Sequence, residues 1–281
     1  MSRAPRTLDG SYRAHAIPWG SMRFWSWQFA HPDAREPLLG IYALLAEWSA
    51  LMDPATEYSV ACIKLAWWQE EVRRLAAGNP VHPIGTYLAS LPGAAAVDFS
   101  SLNLSIDAAV AQAGGAPLER SSDLMPHARA LGGLPLALVS HFAGAERDQA
   151  GLAECTEKLA AADYLSRSIA DYRRDARFGR VPFAVEELAA NGIDNADLSA
   201  DHPPARLEGY LQQLRARALH LFDAASRALP GSRQAALRHL LVLAALGRRR
   251  LQLNASYRQP RGVQDMLLAW RTARRAARSG Q

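Results

Sequence analysis

The chain has 281 residues, 49% of them hydrophobic and 21% charged, with a formal net charge of +5. That apolar fraction excludes a largely disordered chain and is enough for one large domain or two small ones. Two cysteines, Cys62 and Cys155, with no CxxC pair exclude a disulfide framework or a cysteine zinc site, and both read as buried free thiols.

Alanine and arginine are abundant and β-branched residues sparse, which favours helices over strands. No stretch reaches 18 uninterrupted apolar residues, so no membrane-spanning helix is expected. Residues 1–24 lack the apolar core of a secretory signal, and the expectation is a cytoplasmic chain.

Residues 1–20 read as an extended arm. His31-Pro32-Asp33 opens a helix carrying Leu38, Ile41, Leu45, Trp48 and Met52 at helical spacing, and Pro54 ends it. A second helix covers 58–77, with Ile63, Trp67, Val72 and Leu75 expected on its buried side and the segment GNPVHP closing it. A short helix over 84–90 follows, then a break at Pro92-Gly93 and another helix. The next helical segment is loosened by Gly132-Gly133 and Pro135, which predicts a bend or a close backbone approach. A long helix ends near Gly179, a loop and a short helix end at Gly192, and three further helices complete the chain. Trp25, Trp27, Trp48, Trp67 and Trp68 read as core, with FWSWQF near an apolar–aqueous boundary. The organisation is therefore all-α: an arm over 1–20, one helical domain over 21–270, and a basic tail over 271–281.

The tail has four arginines and no acid, and Arg248, Arg249 and Arg250 precede it. Such clustering predicts weak membrane-surface contact that falls with salt. Nucleic acid is not expected, because no aromatics alternate with the tail's cations as a stacking platform requires. Six histidines (His82, His127, His141, His202, His220, His239) lack metal-ligand spacing. Ser121, Ser122 and Ser166 lie outside any nucleophile elbow, and no phosphate-binding or dinucleotide fingerprint occurs.

Several segments in order carry a resemblance: HPDAREPLLGIYALLAEW, KLAWWQEEVRRLAAGNPVHPIGTYL, LMPHARALGGLPLAL, and LAAADYLSRSIADYRRDARFGRVPF. Together, over most of residues 25–195, they resemble the squalene/phytoene synthase family. The resemblance implies an all-α, single-domain isoprenoid synthase bundle around a central apolar cavity. It also implies two aspartate-rich helices whose carboxylates hold Mg²⁺, and through it prenyl diphosphates, for head-to-head condensation.

The family's first motif, Arg-x-x-Asp-Asp-x-x-Asp, falls on Ala46, Ser49, Ala50 and Asp53, so one carboxylate remains. A lone carboxylate does not organise a cluster of magnesium ions. The second motif falls on Tyr164, Arg167, Ala170, Asp171, Arg174 and Asp175, which keeps two aspartates one turn apart. Arg167 stands between Asp163 and Asp171 on an i,i+4 face, where it can pair with either. Arg167, Arg174, Arg177 and Arg180 make this region a candidate anion or diphosphate site. In the first motif the chain is similar to the branch containing the mitochondrial complex I assembly factor, which also lacks the paired aspartates.

Three readings follow. The first is a catalytically degenerate member binding an isoprenoid, another lipid or a partner protein, with no cofactor. The second is an active Mg²⁺-dependent prenyltransferase using Asp53, Asp171 and Asp175 as catalytic metal ligands. The third is a helical adaptor or respiratory-complex assembly factor.

Overall fold

A computed structural model describes residues 7–142, 149–253 and 262–279. All regular structure among these residues is helical. The ends of the arm and tail, residues 1–6 and 280–281, lie outside the described residues. So do 254–258, read from the sequence as a helix end.

The expected extended arm contains a helix, α1 (Gly10–Ala16), whose N-terminus is capped by the Asp9 carboxylate accepting from the Ser11 N–H at 2.8 Å. Ala16 is fully buried, and α1 packs on α3. Burial of Ala16 and Ile17 fixes the segment, which a local reading of its prolines and arginines does not reveal. After α2 (Met22–Gln28), α3 runs Pro32–Leu51 with Pro32 at its first turn. Leu38, Ile41 and Trp48 are buried as expected, joined by Leu44 and Leu51.

α4 (Tyr58–Ala76) differs from expectation in rotation. Its buried side is Ala61, Leu65, Trp68, Val72 and Leu75, while Ile63 is 71% and Trp67 41% exposed. The helix carries two apolar stripes, and the packing of α5 (Pro83–Ala89) and α6 (Leu102–Ala113) covers only one. Buried Glu71 anchors the entry to α5, accepting from the Val81 and His82 N–H groups at 2.9 and 2.8 Å. Cys62 is half-buried and Cys155 buried, both as free thiols.

The glycine pair produces a π-helical turn, Arg129–Gly133, between α7 (Leu124–Ala128) and α8 (Leu134–Phe142). A Cβ on Gly133 would meet the Thr156 carbonyl oxygen at 3.4 Å, the close approach that the sequence predicts. Opposite lies α9 (Gln149–Arg177), roughly 43 Å long at the standard helical rise. Short helices α10 (Val185–Ala190) and α11 (Asn195–Ser199) lead to α12 (Ala205–Ala228), which packs along α9. After α13 (Gly231–Gln234), α14 (Arg238–Gln252) contacts α2, α9 and α12.

α15 (Gly262–Arg278) lies on α14 and α2. The expected tail is thus the continuation of a packed helix, with Ala273 and Ala276 buried. A second small core of Trp25, Val242, Leu246, Ala269 and Ala273 joins α2, α14 and α15. Among the described residues no helix is long and apolar enough to cross a membrane.

His239 on α14 is fully buried, and neither ring nitrogen has a hydrogen-bond partner. Burial pushes the imidazole down to about 3, with Arg238 adding to the shift. The unfolded imidazole titrates near ~6.5. The unfolded state therefore takes up a proton that the fold refuses, so stability from this residue is full above about pH 6.5 and is lost progressively as pH falls toward 3. The His239→Leu variant is expected to lose less stability than the parent between about pH 7 and about pH 4. Urea unfolding at both pH values measures this; an unchanged pH slope contradicts it.

Candidate functional site

Four long helices and the α1–α2 turn surround a cavity of about 420 Å³. α3 presents Tyr42, Leu45, Ser49 and Met52 to it, successive positions on one helical stripe. α9 presents Leu159, Ala160, Asp163, Tyr164 and Arg167. The π-turn adds Leu131 and Gly132, and α8 adds Leu136. Phe222 of α12 and Leu243 and Arg250 of α14 complete the wall. Gly247 sets the position of Phe222: a Cβ there would lie 2.5 Å from the ring. The α1–α2 turn contributes His15, Trp19, Met22 and Arg23, and Trp19 remains 73% exposed.

The wall is mostly apolar, and three of its charged residues fall in one group. Arg167 donates to the Asp163 carboxylate at 2.8 Å. Arg23 places its guanidinium carbon 5.6 Å from the centre of the Tyr42 ring. Burial lowers the Arg23 pKa; the Tyr42 hydroxyl and Asp163 act against that shift, and Arg167 adds to it. Two cations and one anion thus share a small area beside apolar surface. Tyr42 is held protonated by burial and shares a 2.8 Å hydrogen bond with Ser26. Burial pushes Tyr164 up to about 12, so it is a neutral donor at ordinary pH. Arg250 is also buried here, donating to Asp265 of α15 at 2.8 Å.

The other sequence-predicted residues gather at the C-terminal end of α9, and none of them lines the cavity. Asp53 pairs with Arg174 across α3 and α9. That hydrogen bond raises the Arg174 pKa, with Asp171 and Asp175 adding to the shift. At Gly179, φ is +71° and the chain reverses, the Arg180 N–H donating to the Asp175 carbonyl at 3.0 Å. The Arg180 side chain then donates to the Met52 carbonyl at 2.7 Å and the Ala113 carbonyl at 2.8 Å. It answers the exposed carbonyl ends of α3 and α6. Arg177 is exposed.

Ser49 alone of the first-motif positions lines the cavity, and its hydroxyl donates back to the Leu45 carbonyl at 2.5 Å. Among the described residues, no three His, Cys, Asp or Glu side chains come together in a way that could hold a metal ion. Asp53, Asp171 and Asp175 all interact electrostatically with the Arg174 guanidinium. Sequence reading missed Arg23, Tyr42, His15 and Arg250 as wall residues. The only local signal was the proximity of Arg23 to the aromatic segment FWSWQF.

A sequence profile of the squalene/phytoene synthase family matches residues 20–271. A crystal structure of a dehydrosqualene synthase in complex with ligand superposes with a TM-score of 0.74 at 14% identity, covering 95% of each chain. A squalene synthase from Alicyclobacillus acidocaldarius superposes with a TM-score of 0.70 at 20% identity, covering 88% of this chain and 93% of that one. Among curated proteins no sequence matches. The family's all-α isoprenoid synthase fold, expected from the sequence, is the fold observed.

Three variants test how the site is held. The Arg180→Ala change should cost about 1–3 kcal/mol, since it leaves two backbone carbonyls without a charged donor. Arg177→Ala should stay within roughly 0.5 kcal/mol, as an exposed substitution. Gly247→Ala should cost about 1–3 kcal/mol by forcing the Phe222 ring to move. Denaturant unfolding of the three proteins reads each value, and equal midpoints for Arg180→Ala and Arg177→Ala would refute the clamp.

Proposed function

The chain belongs to the squalene/phytoene synthase family, and from that premise we propose that it holds one anionic amphiphile, an isoprenoid or another lipid, without the family's magnesium-dependent condensation. The observation that carries this reading is the pairing of an apolar cavity with Arg23 and Arg167 on its wall. A chain fits the apolar part, and the two guanidiniums offer the head group directed, charge-assisted hydrogen bonds. The cavity lies in the lower part of the usual size range for ligand sites, which suits one chain better than two side by side. Asp163 limits the positive charge and orients Arg167, while neutral Tyr164 can donate a further hydrogen bond.

The loss of catalysis rests on charge. Ionising an allylic diphosphate requires its leaving charge to be neutralised in place. Ala46, Ser49 and Ala50 supply neither carboxylate nor cation on α3, and Asp53 is engaged by Arg174. A second reading, a partner-protein adaptor, draws support from the outward apolar stripe of α4 formed by Val60, Ile63 and Trp67.

Calorimetric titration with farnesyl diphosphate in the presence of a chelator tests the ligand reading. Binding is expected to persist without divalent cation. Arg23→Ala and Arg167→Ala should each weaken it by about 10- to 100-fold, the range for a lost charge-assisted hydrogen bond. A turnover assay with radiolabelled farnesyl or geranylgeranyl diphosphate and Mg²⁺ should give no condensation product. Product that disappears in Asp171→Ala or Asp175→Ala would instead establish the active-enzyme reading.

A further inference from the structure

We propose that the outward face of α15 is a docking surface for an anionic lipid bilayer. The helix has two unlike sides. Inward, Asp265, Ala269, Ala273 and Ala276 are buried toward α14 and α2. Outward, Val263 is 66%, Leu267 41% and Trp270 43% exposed, at i, i+4 and i+7 of one stripe. Arg274 continues that stripe, and its guanidinium carbon lies 5.2 Å from the centre of the Trp270 ring. Arg271, Arg275 and Arg278 are exposed beside it. The one acid of the helix, Asp265, is fully buried and pairs with Arg250, so the exposed face bears only positive charge.

The basic segment before α15 is committed elsewhere. Arg248 pairs with Asp223 at 2.8 Å, Arg249 donates to Gln264 at 2.9 Å, and Arg250 holds Asp265. The surface is therefore narrower than the arginine count suggests.

Its composition fits a bilayer. Anionic head groups sit at the level that long arginine side chains reach, and an apolar layer lies just beneath for Leu267 and Val263. Tryptophan favours that boundary. A nucleic acid backbone would satisfy the arginines but give the two aliphatic side chains no apolar layer to enter. Only three apolar residues are offered, so charge must carry most of the attraction. The position is also apt. α15 packs on α2, whose Met22 and Arg23 line the cavity, and Asp265 holds Arg250 of the cavity wall. Docking here does not depend on what the cavity contains.

The test is co-sedimentation of the full chain with phosphatidylcholine vesicles, with and without roughly one-third phosphatidylglycerol. Binding is expected only with the anionic lipid and should fall steeply between ~50 mM and ~500 mM salt. The double variant R274E/R278E should bind at least about tenfold more weakly, since each basic residue near the surface matters. The variant L267A/W270A should bind more weakly than the parent, though less so than R274E/R278E, while keeping its helical circular dichroism. A control with the same charge change on exposed residues elsewhere, K64E/R227E, should bind nearly as the parent does. Equal binding to neutral vesicles overturns the proposal. So does unchanged binding by R274E/R278E, or capture of poly-glutamate at this face without vesicle binding.

Discussion

The basic C-terminal turn of α9 is held against the C-terminal end of α3, and this junction joins the two helices that supply the most residues to the cavity wall. Arg174 pairs with Asp53, and Arg180 donates to the carbonyls of Met52 and Ala113. A helix C-terminus carries partial negative charge and unsatisfied carbonyls, so a guanidinium there answers both. The reversal at Gly179 brings Arg180 within reach. In an isoprenoid synthase fold this is the region where the resemblance implies aspartates holding magnesium. In this chain Arg174 and Arg180 join the helices in that region.

Under the proposed reading, that difference changes what the cavity does. A magnesium cluster attracts a diphosphate and also withdraws charge as the carbon–oxygen bond breaks. Guanidiniums bind an anionic group well but are set along the wall by packing and by Asp163. In the proposed lipid-holding reading, binding energy realised equally in the ground and transition states gives affinity without rate.

α15 serves two environments at once. Its inner side completes the small core with Trp25 and supplies the carboxylate that Arg250 needs. A buried guanidinium without a partner would be strongly destabilising, so α15 and the cavity wall are energetically joined. Its outer side is released from packing, and the side chains there can be selected for contacts outside the fold.

The sequence by itself determined the helical class, the approximate boundaries of α3 and α4, the end of α9, and the family resemblance. Helical periodicity, proline and glycine positions and ordered segments are local properties, and they survive folding. It also determined which carboxylates of the two motifs remain. Only the tertiary structure decided which side of α4 is buried, because Ile63–Trp67 and Leu65–Trp68 are both apolar stripes and the contact with α6 selects one. It likewise decided that residues 10–16 form a helix and that residues 271–278 continue one. It placed Arg23 with Arg167 although they lie on α2 and α9, and it set Arg180 to donate to the carbonyls at two helix ends. The physical reason is the same in each case. A residue's partner across the fold is set by helix rotation and packing, and those depend on chain segments far away in sequence.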